Sequence, residues 1–99
     1  MKIVAITACP TGIAHTYMAA EQLKKSAASL GHEIKVETQG SMGIENELTA
    51  ADIESADAVI LAADIAVEQV DRFEGKRKIE VSVQSAIKNP QGIFAQLAG

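Results

Sequence analysis

The feature that most constrains the fold is an apolar, β-branched run at the start of the chain, Lys2–Ala8 (KIVAITA), with a turn and a helix directly after it. A run without polar alternation is typical of a strand buried on both faces, as in a parallel sheet. Over residues 16–30 apolar side chains recur at helical spacing, and Gly31 favours the end of that helix. The predicted buried face of this helix comprises Tyr17, Ala20, Leu23, Ala27 and Leu30.

The same alternation of strand and helix continues along the chain. Further strands are predicted at residues 33–38 (EIKVET), 57–63 (DAVILAA) and 78–83 (KIEVSV). Short helices are predicted at 50–55 after a Thr49 N-cap, at 67–73, and from Pro90 after an Asn89 N-cap. Glycines predict a turn at 39–43, and the charged run 72–78 predicts a solvated turn. The pattern favours an α/β fold of three layers, α/β/α, with a four-stranded parallel sheet of order 2-1-3-4 and right-handed crossovers.

Composition narrows the class of protein. The chain has 99 residues, 47% of them hydrophobic, which suits one small domain spanning residues 1–99. Only 3% are aromatic and the net charge is −4, which argues against a nucleic-acid partner. A single cysteine forms no internal disulfide and suits a reducing cytosol. No signal peptide or membrane-spanning run is present, so we expect a soluble cytoplasmic domain.

Cys9 follows the first strand directly, at the point where a parallel sheet of this strand order binds its ligands. Gly12 allows a tight turn and a close approach of the backbone to a ligand. Main-chain N–H groups of the loop and of the first helical turn would converge on an anion such as phosphate, and Thr11 and Thr16 add hydroxyl donors. The same positive field favours the thiolate form of a cysteine, which is the nucleophile. These residues predict a nucleophilic Cys9 beside a phosphoryl-binding loop.

His15 lies six residues after Cys9, at the far rim of the predicted loop. We expect it to contact a phosphate or to act as the charge partner of the thiolate, rather than to be merely solvated. Cys9 and His15 are the only soft metal ligands in this part of the sequence, so no zinc site is predicted. No other cofactor is predicted.

Residues 8–21 (ACPTGIAHTYMAAE) resemble the active-site loop of the fructose-specific IIB domains of the bacterial phosphoenolpyruvate-dependent sugar phosphotransferase system. The resemblance extends over essentially the whole chain, through residues 36–46 (VETQGSMGIEN), 56–67 (ADAVILAADIAV) and 71–76 (DRFEGK). Several matches in the same order are far more specific than one short motif. The resemblance implies a four-stranded parallel sheet flanked by helices and a role in sugar transport as a transferase.

In such domains the cysteine accepts a phosphoryl group from a phosphohistidine of the IIA partner. It then passes the group to a sugar bound by the membrane-embedded IIC partner, giving fructose 1-phosphate. Carried over, the resemblance implies that Cys9 is the phosphocysteine. The implied phosphate-binding loop comprises Pro10, Thr11, Gly12, Ile13, Ala14, His15 and Thr16. Gln39, Gly40 and Ser41 are expected beside this loop, because they follow the second strand.

The resemblance also sets the expected partners and setting. These are a IIA phosphohistidine protein or domain, a IIC sugar permease, and a sugar reached through IIC. No nucleic-acid partner and no direct membrane insertion are expected. The domain is expected as a monomer in the cytoplasm, held at the inner face of the membrane through IIC, and either free-standing or fused to IIA and IIC. Fructose is the expected sugar, and a related hexose, polyol or mannosyl derivative is the alternative.

Three other functions fit parts of the pattern. Low-molecular-weight tyrosine phosphatases carry an arginine six residues after the nucleophilic cysteine, followed by Ser or Thr; here that position is His15. Imidazole cannot replace the guanidinium fork, and the chain has no Asp-Pro pair to supply a general acid. A flavodoxin-like module needs aromatic rings, yet the chain has no Trp, one Tyr and two Phe. A redox thiol would need a second cysteine from another molecule.

Overall fold

The computed structural model describes residues 1–9, 13–40 and 43–98. These residues contain a five-stranded sheet with the order β3-β2-β1-β4-β5. Its strands are β1 (Lys2–Ala8), β2 (Glu33–Gly40), β3 (Gly43–Glu45), β4 (Ala58–Ala63) and β5 (Lys78–Val81). The central strand β1 is parallel to both of its neighbours, β2 and β4, and β4 is parallel to β5.

Helices cover the two faces of the sheet unequally. The helices are α1 (Ile13–Ser29), α2 (Ala50–Ser55), α3 (Val83–Lys88) and α4 (Pro90–Ala98), with a 3-10 turn at Val70–Phe73. Residues of α1, α3 and α4 pack on one face, whereas α2 and the 3-10 turn pack on the other. No helix in the described part of the chain combines the length and the apolar character needed to cross a membrane.

Alternate residues of β1 enter opposite cores, which explains why the strand is almost continuously apolar. Ile3 and Ala5 pack against the three-helix face, while Val4 and Ile6 pack against α2 and the 3-10 turn. All four are almost fully buried. Burial of a large aliphatic side chain contributes about 1.5–3 kcal/mol, so a polar residue at Ile3, Val4 or Ile6 would weaken one of the two cores.

Several sequence predictions are confirmed. The four longer strands adopt the predicted order, β2-β1-β4-β5. The Thr49 side chain caps α2 by accepting from the Asp52 N–H, and the Asp52 carboxylate accepts from the Thr49 N–H in return. The Asn89 side chain accepts from the Gly92 N–H at 3.2 Å, at the predicted start of the last helix. These caps satisfy N–H groups that lack partners inside the helix.

The prediction of an entirely parallel four-stranded sheet is wrong in one respect. Residues 39–43 were predicted as a turn, but β2 continues to Gly40 and β3 then pairs with it in the antiparallel direction. The register places Gln39 opposite Ile44 and Thr38 opposite Glu45. A short hairpin connection makes antiparallel pairing the natural outcome, because a parallel neighbour needs a long crossover. The sheet is therefore mixed.

The predicted buried face of the first helix is only partly correct. The helix begins at Ile13 rather than residue 16, and both Tyr17 and Leu30 are substantially exposed. The buried residues of α1 are small or aliphatic: Thr16, Ala19, Ala20, Leu23, Ser26 and Ala27. They recur every three or four residues, as single positions or adjacent pairs, which matches the helical repeat. Tyr17, next to the buried Thr16, lies outside this stripe and contacts Glu45 of β3 instead.

Two further boundaries differ from the predictions. The predicted helix at 67–73 is a single 3-10 turn at Val70–Phe73, preceded by Gln69 with a positive φ of 58°. The predicted strand at 78–83 ends at Val81, because Ser82 caps a helix, α3, that the sequence reading missed. The Ser82 hydroxyl accepts from the Ser85 N–H at 3.1 Å.

A buried ion pair joins β2 to the 3-10 turn. The Glu37 side chain is fully buried, and its carboxylate accepts from the Arg72 guanidinium at 2.5 Å. It also accepts from the Gln39 side-chain amide at 2.7 Å and from the Leu48 N–H at 2.9 Å. Burial raises the pKa of Glu37, but these hydrogen bonds outweigh burial and hold the pKa below its ordinary value. Arg72 is therefore not part of a solvated turn, which corrects that prediction.

Replacing Arg72 by Met is expected to destabilise the fold by about 3–5 kcal/mol at neutral pH, because the buried Glu37 carboxylate loses its counter-ion. Since the pKa of Glu37 is depressed in the folded chain, its stabilising contribution is present above the ordinary value of 4.5 and is lost as the pH falls through the folded pKa. The stability difference between the variant and the original chain should therefore shrink below pH 4.5. Urea unfolding across this pH range measures both effects.

The matched control is Lys25→Met, which removes the exposed Lys25–Glu21 pair, with an N–O distance of 3.5 Å. That change should cost below about 0.5 kcal/mol. Equal losses in the two variants would contradict the assigned role of the buried pair.

Candidate functional site

Cys9 lies immediately beyond the carboxyl end of the central strand. The register of β1 sets Ala8 beside Gln39 of β2 and beside Ala63 of β4. The residues that follow these strands meet at one edge of the sheet, as in other parallel sheets that bind ligands there. Cys9 is 5% exposed, and it lines both of the clefts that open at this edge.

The His15 side chain lies beside the Cys9 sulfur. It lies in the first turn of α1, and its Nδ1 is 4.0 Å from Cys9 Sγ. That separation is at the long end of hydrogen bonds to sulfur. His15 is exposed, so its ring does not pack in the core.

Two clefts open on either side of Cys9. The first has a volume of about 410 Å³ and lies between α1, the end of β4 and α3. Its lining includes a cation, Lys88, an anion, Asp64, and the imidazole of His15. Asp64 accepts from the Val83 N–H at 3.2 Å, which fixes the start of α3 against the end of β4. The remaining lining residues are Met18, Val83, Gln84 and Ile87.

The second cleft has a volume of about 330 Å³ and lies between the β2–β3 hairpin and the segment after β4. Besides Cys9 it is lined by Gln39, Gly40, Gly43, Ile65, Ala66 and Glu68. The Gln39 side chain holds this wall in place through the main chain of Glu68. It accepts from the Glu68 N–H at 2.9 Å and donates to the Glu68 carbonyl at 3.3 Å. Gln39 also contacts buried Glu37, so the ion pair supports the cleft.

Close packing under the site joins α1 to β2. The Thr16 side chain is 1% exposed, and a Cβ added at Gly40 would lie 3.6 Å from its Oγ1. The Thr7 hydroxyl donates to the Thr16 carbonyl at 3.2 Å. A larger side chain at position 40 would therefore reach the first turns of α1.

A second contact joins α1 to the hairpin at the surface. The Tyr17 hydroxyl donates to the Glu45 carboxylate of β3. This hydrogen bond raises the pKa of Tyr17, with smaller contributions from partial desolvation and from the negative charge of Glu45.

The structure brings together a subset of the residues predicted from the sequence. Cys9, His15, Gln39 and Gly40 line the two clefts, and Thr16 lies beneath Gly40. Ile13 and Ala14 belong to the first turn of α1. The predicted loop residues Pro10, Thr11 and Gly12, and the predicted neighbour Ser41, lie outside the described residues.

The sequence reading missed the residues contributed by the end of β4 and by α3. Asp64, Ile65 and Glu68 follow β4, and the rule that pointed to the end of β1 applies equally to this neighbouring strand. Gln84 and Lys88 could not be placed, because α3 itself was not predicted.

This arrangement suits transfer of a group to and from sulfur. A cysteine at the junction of two clefts can be approached from two sides, with an imidazole beside it to donate or accept a proton. Within residues 1–9, 13–40 and 43–98, no three His, Cys, Asp or Glu side chains are grouped to hold a metal ion.

Comparison with known proteins gives consistent matches over nearly the whole chain. The family model described as "PTS system, Lactose/Cellobiose specific IIB subunit" matches residues 4–96. The PTS system fructose-like EIIB component 2 of Escherichia coli K12 is 53% identical over 96 residues, covering 97% of this chain and 91% of that protein. The PTS system fructose-specific EIIABC component of Bacillus subtilis is 60% identical over 93 residues, covering 94% of this chain and 14% of that much longer protein.

A solved structure agrees with these matches. The crystal structure of a domain from the fructose-specific IIABC component of Borrelia burgdorferi superposes with a TM-score of 0.92 at 52% identity. The match covers 96% of this chain and 90% of that domain.

Gln39→Leu is expected to loosen the wall of the second cleft, because Glu68 loses the side-chain partners of both its N–H and its carbonyl group. The local free energy of opening at Glu68 should fall by about 1–3 kcal/mol. Hydrogen exchange at the Glu68 amide should accelerate by about tenfold for each 1.4 kcal/mol. The control is Gln84→Leu, on the exposed wall of the other cleft, where exchange at Glu68 should not change. Unaltered protection of Glu68 in Gln39→Leu would contradict the assigned contact.

The chain contains one Tyr and no Trp, so near-ultraviolet phenolate absorbance reports Tyr17 alone. Its pKa should lie above the ordinary value of 10.0 in the folded chain. Glu45→Gln should lower that pKa towards the ordinary value, because the charged acceptor is lost. Glu47→Gln on the neighbouring exposed loop is the control, and identical titration curves for the two variants would contradict the Tyr17–Glu45 hydrogen bond.

Proposed function

The chain belongs to the IIB family of the bacterial sugar phosphotransferase system, and we propose that its phosphoryl acceptor is the sulfur of Cys9. Members of this family are phosphotransferase components, and the relatives named above are of the fructose type. The reaction assigned to this chain is acceptance of a phosphoryl group from a phosphohistidine of a IIA partner, followed by its transfer to a sugar held by a IIC permease.

The observation that carries the proposal is the position of the Cys9 sulfur. It lies at the end of the central strand, 4.0 Å from His15 Nδ1, and both clefts open onto it. A carrier needs an acceptor atom that two partners can reach in turn and that bulk water reaches poorly. A sulfur with 5% exposure between two open clefts meets both requirements.

In the first half-reaction the Cys9 thiolate attacks the phosphorus of the phosphohistidine in line. The S–P bond forms as the P–N bond breaks, and the leaving imidazole of the partner takes up a proton. Such a transfer depends on positioning and on stabilising the charge of the three equatorial oxygens. Main-chain N–H groups of residues 11–16 are assigned that task, with hydroxyl donors from Thr11 and Thr16; Pro10 has no N–H to donate.

His15 is assigned the role of stabilising negative charge, first on the sulfur and then on the phosphoryl group. Its exposed ring can donate a hydrogen bond from Nδ1 to the thiolate before transfer and to a phosphoryl oxygen afterwards. Gln39 and Gly40 are assigned to the wall of the second cleft, and Ser41 is assigned to the rim beside them. An arginine fork like that of the cysteine-dependent phosphatases is absent from the sequence of the loop, which favours a carrier over a hydrolase.

In the second half-reaction a sugar hydroxyl attacks the phosphocysteine. The new O–P bond forms as the S–P bond breaks, the thiolate leaves, and the hydroxyl proton passes to a nearby base or to water. The relatives named above are fructose-specific or fructose-like, so fructose is the proposed sugar and fructose 1-phosphate the proposed product. The permease holds the sugar, so this chain contributes the phosphoryl group rather than the sugar pocket.

The partners follow from the organisation of the relatives. The Bacillus subtilis relative is an EIIABC component, in which this chain covers 14% of the length. We therefore propose that the 99 residues form one IIB domain that works with IIA and IIC components, either free or fused to them. The domain would be a monomer in the cytoplasm, brought to the inner face of the membrane by IIC.

The test is phosphoryl loading of the purified chain by a phosphorylated IIA protein. Intact mass should show one phosphoryl adduct, and peptide mapping should place it on Cys9. Cys9→Ala should abolish the adduct and Cys9→Ser should reduce its rate by at least about a hundredfold, because a serine hydroxyl is far less nucleophilic than a thiolate near neutral pH.

His32→Gln, at the opposite end of α1 from Cys9, serves as the control and should load normally. An adduct on a residue other than Cys9 would contradict the proposal. Cys9-dependent hydrolysis of an aryl phosphate without a stable adduct would replace it with the phosphatase function.

A further inference from the structure

The two clefts beside Cys9 differ in charge. The first carries His15 and Lys88 together with Asp64. The second carries a single charged side chain, the exposed carboxylate of Glu68, and no lysine or arginine among the described residues lines it. Such a difference in charge lets one cleft attract an anionic reactant while the other accepts a neutral one.

The second cleft continues into an apolar groove on the thinly covered face of the sheet. Ile65 and Ala66 line both, and the groove, of about 350 Å³, runs past Val70 to Glu80 on β5. Ile65 and Val70 are each 44% exposed. Neighbouring large apolar side chains left exposed at a surface often mark an interaction site.

The groove is ordered before any partner arrives. Gln39 holds the Glu68 main chain, and the buried Glu37–Arg72 pair holds Gln39 and the 3-10 turn that follows. A surface that is already rigid loses little conformational entropy on docking, which favours specific binding over a small area. The buried pair thus supports the groove as well as the second cleft.

We propose that this groove, from Ile65 to Val70 and Glu80, docks the cytosolic loops of the sugar permease. The proposal rests on the proposed function, because it assigns a surface to the second half-reaction. The partner surface would present an apolar side chain to Ile65 and Val70, flanked by Lys or Arg side chains that face Glu68 and Glu80.

Charge decides between the two partners. Cytosolic loops of membrane proteins carry an excess of Lys and Arg, which complements a groove whose charged side chains are Glu68 and Glu80. A phosphohistidine partner arrives with a doubly negative phosphoryl group, which acidic side chains repel and the first cleft, with His15 and Lys88, attracts. The acceptor sugar is neutral, so carboxylates beside it carry no such penalty.

The experiment measures the two half-reactions separately with the full chain. Loading uses phosphorylated IIA protein and intact mass, and transfer uses IIC-containing membrane vesicles with labelled fructose. The double variant Glu68→Lys/Glu80→Lys is expected to load within about twofold of the original rate. In the transfer reaction, the KM of the permease for the phosphorylated chain should rise at least about tenfold, which corresponds to roughly 1.4 kcal/mol. The double variant Ile65→Ser/Val70→Ser should likewise raise this KM and leave the loading rate almost unchanged.

The matched control is Glu33→Lys/Glu54→Lys, an equal charge change at exposed positions, with Glu33 at the amino end of β2. It should leave both half-reactions unchanged. Normal transfer by the groove variants would overturn the docking proposal while leaving Cys9 as the carrier. Loading slowed as much as transfer would show that IIA uses the groove, which also overturns it. Failure of the original chain to load on Cys9 would instead refute the proposed function itself.

Discussion

The parallel pairing of β1 with β2 on one side and β4 on the other is the constraint on which the site depends. Because Ala8 lies between Gln39 and Ala63, the three chain segments that leave these strands emerge side by side. One segment carries Cys9 into α1, one forms the β2–β3 hairpin, and one continues through Asp64 towards Glu68. The second cleft lies between these segments, and the first lies between α1, the end of β4 and α3. A shift of register by one residue would move every strand side chain to the opposite face and separate the segments.

The buried Glu37 carboxylate has a different role from the apolar residues around it. A buried ion pair is seldom the most stabilising choice, and an apolar pair of similar volume often stabilises a core equally well. Its directional hydrogen bonds are what an apolar pair lacks: Glu37 orients Gln39, and Gln39 orients the main chain of Glu68. The segment after β4 has little regular secondary structure, so its position depends on such contacts. The buried charge therefore serves mainly to give the wall of the second cleft beside Cys9 a defined position.

Much of the architecture was predictable, because it depends on patterns of burial that the sequence displays directly. Strands buried on both faces are continuous apolar runs, and β1 and β4 were found for that reason. The caps Thr49 and Asn89 were found because their chemistry is local. The features that were missed are tertiary: Tyr17 lies outside the core with its hydroxyl on Glu45, and β3 exists only through pairing with β2. Cys9 and His15 were singled out by local spacing, whereas Glu68 and Lys88 reach the clefts only through the fold.

A phosphoryl carrier on sulfur faces two opposed demands. The phosphocysteine must resist water for as long as it waits, yet both partners must reach it and leave again. Under the proposed function, a nearly covered Cys9 with two open approaches satisfies these demands when each partner completes the site as it docks. The interfaces must then be small, since a carrier that binds tightly to one partner is slow to reach the other. Under the proposed function, charge rather than area distinguishes the two approaches. Electrostatic complementarity speeds encounter and selects the partner while adding little to the lifetime of the complex, which is the balance that a shuttle between two proteins requires.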